Sequence, residues 1–306
     1  LINRELTLLW NVGYKERKNC HKENIFNWDD PRCTTEIMKL NNNKEIVDKI
    51  LLINKNRNNN NYPKILPRRI KNNLNDWTGN KNIEFFIDFE TLGNFNTDEE
   101  ENGFENKNLI YMIGLGWNIK NQNKWYFKSF VVDKMDRVSE LKNFYIFMNC
   151  IKNLINLYSP NEKPNIYHWS PAEIKFINLM TNNLRFHSNY DNIKANINNL
   201  FDILNWTDLM IIFQQEPIVI KDCYNFKLKH VTNAFYEHGF IETIWDKNDC
   251  SSGLGAIMSG LKCEKESQKY NIKIEDTSII EGVKKYNEVD CKVMWEMIEY
   301  LRKHNI

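Results

Sequence analysis

The stretch that most constrains this chain is Phe85-Phe86-Ile87-Asp88-Phe89-Glu90-Thr91. From Ile83 to Phe89 the residues are apolar and β-prone apart from Glu84 and Asp88, which predicts a buried strand. Side chains alternate faces along a strand, so Asp88 and Glu90 point the same way. Two buried carboxylates on one face repel each other and are costly to desolvate unless a cation sits between them. Oxygen-only ligands of this kind suit Mg²⁺ or Mn²⁺.

A second acid answers them near the C-terminus, in Tyr286-Asn287-Glu288-Val289-Asp290. Ser278 to Lys303 repeats apolar residues at helical spacing, through Ile279, Ile280, Val283, Tyr286, Val289, Val293, Met294, Met297 and Leu301. Tyr286 and Asp290 are four apart, hence one turn apart on one face. That face is otherwise apolar and draws the Asp290 carboxylate inward. A metal shared with Asp88 and Glu90 would compensate it.

At 306 residues the chain is long enough for one large domain or two smaller ones. Its formal net charge is +1, so nucleic-acid binding has to rest on local basic patches. Seven scattered cysteines with no Cys-x-x-Cys pair argue against a disulfide framework or a zinc site, and place the chain in a reducing compartment, cytoplasm or nucleus. No apolar run approaches the ~18 residues of a membrane span. There is no signal peptide, and the chain begins at Leu1 rather than Met, as a fragment or processed product would.

Residues 1–53 predict a small helical module. Leu6 to Trp10 and Tyr14 to Glu23 read as two helices around Asn11-Val12-Gly13, with Gly13 taking the turn and Asn11 a residue that tolerates left-handed geometry; Thr34 to Leu40 reads as a third helix, and a further helix ends near Ile53. Such a hairpin aims backbone N–H groups at a phosphate, or simply packs helices. Residues 54–82 read as a basic, Asn-rich linker. From Lys49 to Asn75 there are no acids, while Arg68 and Arg69 fall between Pro67 and Lys71. Basic segments of this kind track a phosphate backbone or serve as solvated spacers.

From residue 83 onward the pattern is α/β. Leu109 to Trp117 and Trp125 to Val132 follow as strands joined at Asn121-Gln122-Asn123, after a polar acidic insertion over Asn94 to Asn108. Val138 to Leu157 predicts a long helix and Ile166-Tyr167-His168 a short strand. Pro171 then starts a helix with Glu173 in its first turn. Thr207 reads as an N-cap beside Asp208, in a segment from Asn205 to Phe213. Phe226 to His238 is a helix closed by Gly239 and carrying Lys227 and Lys229, candidate phosphate contacts on what is otherwise a solvated face; Ser251 to Gly260 is a short helix. Three antiparallel strands, a helix and another strand is the opening order of a ribonuclease-H-like sheet, flanked by helices.

With Asp88-Phe89-Glu90 as one motif and Tyr286-x-x-x-Asp290 as another, the chain resembles the tyrosine branch of the DEDD 3′–5′ exonuclease superfamily. It is most similar to the ribonuclease-H-like domains found fused to RecB-like nuclease domains. That similarity runs through Tyr111-Met112-Ile113-Gly114, Tyr167 to Glu173, Asp208-Leu209 and Phe226-Lys227-Leu228-Lys229, with the helix-hairpin-helix-like start around Gly13. The resemblance implies an exonuclease domain over residues 83–306 that hydrolyses phosphodiester bonds of DNA or RNA with two Mg²⁺ or Mn²⁺ ions. Asp88, Glu90, Glu173 and Asp290 would hold the ions, and Tyr286 would orient the attacking water. Glu173 stands where the superfamily carries Asp, and Asp208 is the alternative fourth carboxylate. A RecB-like nuclease domain, in the same or a partner chain, is the implied partner. The rival readings are a structure-specific endonuclease on the same fold and a catalytically weak nucleic-acid-binding module.

Overall fold

The structure is a computed structural model that describes residues 4–71, 77–92, 109–122, 124–185, 188–246 and 253–306. The acidic insertion over 94–108, and Asn123 of the strand connection, lie outside the described residues. The chain forms two compact units. One comprises residues 1–78, 209–244 and 296–306, the other residues 79–208 and 245–295.

The second unit is built on a mixed five-stranded sheet. In chain order its strands are β2 (Ile83–Leu92), β3 (Leu109–Ile119), β4 (Trp125–Val131), β5 (Asn165–His168) and β6 (Asn205–Asp208). Across the sheet the order is β4-β3-β2-β5-β6. β2 pairs antiparallel with β3, and β3 with β4; β5 lies parallel to both β2 and β6. The central strand is therefore the one that carries Asp88 and Glu90.

Alternation on β2 decides what each face packs against. Ile83, Phe85, Ile87 and Phe89 enter a core with Phe144, Phe147, Met148 and Ile151 of α4 (Arg137–Tyr158). Ile177 of α5 (Ala172–Asn183) and Ile197 and Leu200 of α6 (Tyr190–Ile203) join the same core. Each fully buried Phe or Leu there contributes about 1.5–3 kcal/mol. The Asp136 side chain caps α4 by accepting from the Ser139 N–H at 2.7 Å. A second core joins Leu92, Leu109, Tyr111 and Met112 to Cys263 of α9 (Gly253–Tyr270) and to Ile280 and Val283 of α10 (Ile280–His304). The sheet thus has helices on both faces, and the last helix belongs to the face of the acids.

The first unit gathers α1 (Tyr14–Lys22), α2 (Thr35–Met38), α3 (Lys44–Lys55), α7 (Leu209–Gln215) and α8 (Leu228–Glu237). A two-stranded antiparallel ribbon, β1 (Ile65–Leu66) with β7 (Val219–Ile220), joins them. This unit departs from the sequence expectation in three places. First, residues 6–8 form a single 3-10 turn rather than a helix, and Gly13 is extended, so the turn rests on Asn11, which takes the left-handed geometry it was suited to (φ 58°). Second, the 54–82 stretch is packed in part: Ile65, Ile70 and Trp77 are buried. Third, residues 209–244 join the N-terminal helices because their backbone is tied there. The Trp10 N–H donates to the Tyr224 carbonyl at 2.8 Å, and the Lys221 N–H to the Lys64 carbonyl at 2.9 Å. Buried Asn54 accepts from the Asp222 N–H at 2.7 Å and donates to the Cys223 carbonyl at 3.1 Å.

In the sheet unit, Thr207 is a buried residue of β6 rather than a helix cap, and α9 runs well past Gly260. Among the described residues no helix is long and apolar enough to cross a membrane, and the six described cysteines are free thiols.

Candidate metal centre

Asp88, Glu90 and Asp290 meet on the α10 face of the sheet. One ligand oxygen from each lies within 4.8 Å of the others. Glu90 and Asp290 are buried and Asp88 is partly buried. Two elements make the site. β2 aims its two acids in one direction by alternation, and α10 places Asp290 one turn beyond Tyr286. α10 is itself held by β4: the Trp125 indole N–H donates to Glu288 Oε1 at 3.2 Å, and its ring stacks on Trp295 at 5.4 Å.

The acids disturb one another. Burial holds the Asp88 carboxyl well above the ordinary carboxylate range, and Asp290, Glu90 and Glu173 push it the same way. At an effective dielectric near 20, two carboxylates at this separation repel by roughly 3 kcal/mol. Three such pairs amount to roughly 10 kcal/mol, comparable with the whole stability of a domain. That repulsion is relieved by a positive charge among the three groups or by a proton on one of them. The donor set is oxygen only, which is what a hard divalent cation takes. Asp88, Glu90 and Asp290 therefore lie close enough to hold a metal ion.

Tyr286 stands beside this group. Burial raises its phenol far above the ordinary value, and Asp290, Glu90 and Asp88 raise it further. Its hydroxyl stays protonated at neutral pH and can donate to the acids or to a water beside them. Cys291, on the same helix, is fully buried, and burial followed by Asp88 and Asp290 keeps its thiol protonated.

Glu173 and Asp208 fall outside the three-acid group. Glu173 is buried at the start of α5, close enough to raise the Asp88 carboxyl. Burial raises Glu173 itself, against the nearby His168, whose Nδ1 lies 3.4 Å from Glu173 Oε2. His168 Nδ1 donates to the Ser170 carbonyl at 2.6 Å. Asp208 is committed to the same turn: its Oδ1 accepts from the Ser170 N–H at 3.0 Å, where Ser170 has a left-handed φ of 80°. Glu173 thus lies beside His168, near enough to Asp88 to act on its charge, and Asp208 supports the turn that leads into α5.

The candidate nucleic-acid contacts all lie in the other unit. Arg68, Arg69 and Lys227 are exposed, with Lys227 at the N-cap of α8, and Lys229 is partly buried. The Gly13 amide donates to Glu16 Oε2 at 3.0 Å. An acid of its own helix already sits where a phosphate was expected.

Two residues carry weight that the motifs did not reveal. Asn287 is fully buried, and its Nδ2 donates to Asp88 Oδ2 at 2.7 Å, to the Asp88 carbonyl at 3.2 Å and to Glu90 Oε1 at 3.3 Å. Gly114 lies opposite Asp88 in the β2–β3 register. A Cβ there would come within 1.7 Å of Asn287 Oδ1. The signal available was the glycine in Tyr111-Met112-Ile113-Gly114, since a glycine inside a strand marks a close approach. No family model matches this chain, and neither a curated protein nor a solved structure gives a significant match.

Proposed function

We propose that this chain is a metal-dependent nuclease of the DEDD tyrosine type, hydrolysing phosphodiester bonds of DNA or RNA from a 3′ end. The observation that carries the reading is the convergence of Asp88, Glu90 and Asp290 within 4.8 Å, on a central strand and a late helix. The strand order supports it, because antiparallel β2, β3 and β4 followed by α4 and parallel β5 is the opening expected of a ribonuclease-H-like sheet.

Asp88, Glu90 and Asp290 would hold Mg²⁺ or Mn²⁺, with Glu173 completing the set beside Asp88. When bound, a pair of such ions supplies an acidified water and neutralises charge on the scissile phosphate. The chain's own groups do the rest. Tyr286 donates its hydroxyl to fix the orientation of the nucleophile. Asn287 holds two carboxylates. Water adds to phosphorus as the bond to the 3′ oxygen of the preceding nucleotide breaks, giving a 5′-monophosphate and a new 3′-hydroxyl. Arg68, Arg69, Lys227 and Lys229, in the unit that carries no part of the acid cluster, would supply phosphate contacts that weaken with salt.

The test is cleavage of end-labelled single- and double-stranded DNA and RNA with Mn²⁺ or Mg²⁺, wild type against Asp88→Asn. Cleavage from the 3′ end by the wild type, abolished by the substitution, is expected. Undiminished cleavage by Asp88→Asn would sink the reading. Cleavage of circular single strands would convert it to an endonuclease. The position of Glu173 outside the three-acid group favours a second reading, a nucleic-acid-binding module that holds metal without turnover. It predicts a Mn²⁺-dependent rise in melting temperature with no product from any substrate.

A further inference from the structure

Asn287 reaches the acids across the width of the β3 backbone. Its amide nitrogen is shared by a carboxylate oxygen of Asp88, the Asp88 carbonyl and a carboxylate oxygen of Glu90. Its Oδ1 is buried, accepts no hydrogen bond among the described residues and lies against Gly114. The orientation of the amide is dictated. Reversed, it would set a carbonyl oxygen against two carboxylates and leave both without this donor. A neutral side chain with two N–H bonds is suited to this place. A lysine would compete with a cation for the acids, and an aspartate would add a further like charge.

We infer that Asn287 is a positioning residue that holds Asp88 and Glu90 in the spacing a divalent cation requires, and that position 114 must be glycine because the Asn287 amide occupies the space of a side chain there. This deepens the metal-site reading above and rests on it. Partners that orient metal ligands are commonly worth about 10–100-fold in metal affinity. Gly114 and Asn287 also form a pair whose effects on stability must be coupled, because one fills the space the other leaves.

The experiment uses the full chain as wild type, Asn287→Ala, Asn287→Ser, Gly114→Ala and the Gly114→Ala/Asn287→Ala double variant. Mn²⁺ affinity is read from the spin-resonance signal of free Mn²⁺, and melting temperature is read in chelator. Asn287→Ala is expected to weaken Mn²⁺ about 10–100-fold. Asn287→Ser should weaken it similarly, since a hydroxyl is too short to span both carboxylates. Gly114→Ala should lower the melting temperature on its own and do markedly less in the Asn287→Ala background, where the Phe127 ring at 3.2 Å is the remaining close neighbour of the added methyl. Wild-type Mn²⁺ affinity in both Asn287 variants would overturn the positioning role while leaving the metal site standing. Equal damage from Gly114→Ala in both backgrounds would overturn its pairing with Asn287. Absence of Mn²⁺ binding by the wild type would overturn the metal-site reading, and the positioning role with it. Should Asn287→Ala fail to fold, Asn287→Ser and Gly114→Ala decide the same question.

Discussion

Strand β2 carries buried acids at both ends, and the two ends treat them differently. Glu84 is buried, and its Oε1 accepts from the Tyr167 hydroxyl at 2.9 Å and the Asn165 amide at 3.5 Å. Asn165 in turn donates to the Tyr167 oxygen at 2.8 Å, so the three form a closed polar network between β2 and β5. Glu140 is a second case, buried between the Ile110 N–H at 2.8 Å and Arg137 at 2.8 Å. Four and six residues on from Glu84, Asp88 and Glu90 converge with Asp290, and Asn287 donates to both of them. A buried carboxylate surrounded by donors is a structural element. Buried carboxylates that converge on one another repel, and that repulsion is relieved by a bound cation or by protons.

The largest effect expected from breaking this contrast is at α10. Asp290→Asn should take metal-dependent cleavage and Mn²⁺ binding below detection, whereas Glu84→Gln should leave both unchanged. Equal losses in the two variants would erase the distinction between the ends. Next is Tyr286→Phe, which keeps the ring and deletes the hydroxyl. Turnover should fall by about 10²-fold with Mn²⁺ affinity unaltered, in the range positioned proton donors contribute. A lowered melting temperature with intact turnover would make Tyr286 a packing residue.

Smaller, and opposite in sign at the two ends, are the effects on stability in chelator. Glu84→Ala strips the acceptor from Tyr167 and Asn165 and should destabilise the chain by about 1–3 kcal/mol. Asp88→Asn removes a charge from a crowded cluster and should raise the melting temperature. Chemical denaturation of both variants without metal decides it, and a shared sign would contradict the comparison.

The smallest effect is in pH dependence. The folded-state Asp88 carboxyl is raised by burial and by Asp290, Glu90 and Glu173, so the folded chain keeps its proton to higher pH than the unfolded chain. The associated stability is complete below the ordinary carboxylate range near pH 4 and is lost as pH rises through the raised value. The melting temperature of metal-free wild type should therefore fall relative to Asp88→Asn as pH climbs from about 4 through that range. Saturating Mn²⁺ should abolish the divergence. A difference independent of pH would place the effect of Asp88 in packing rather than charge.

Much of the sheet was legible. Strands β2 to β4 and helix α4 lie close to their expected spans, because an apolar pattern over seven or more residues is set by the chain itself, and the short β5 falls where Ile166-Tyr167-His168 places it. Strand β6 was not legible. Asn205-Trp206-Thr207-Asp208 has the composition of a helix cap, and pairing with β5 makes it extended. Helix α6, rich in asparagine, is another addition, its inward face defined by Ile193, Ile197 and Leu200. The boundary of the first unit was hidden as well. Nothing local to residues 209–244 states that their backbone bonds to Trp10 and Lys64.

The sequence by itself determined that Asp88 and Glu90 share a face, that Tyr286 and Asp290 are one turn apart, and that both pairs would be drawn inward. These follow from the fixed periods of strand and helix, which need no knowledge of a partner. Only the tertiary structure decided that the two pairs converge, that Glu173 lies beside His168 while Asp208 supports the turn before α5, and that Asn287 reaches the acids over Gly114. Those contacts join residues as much as 199 positions apart. Periodicity sets the direction of a side chain, and only the packing of whole elements sets what it meets.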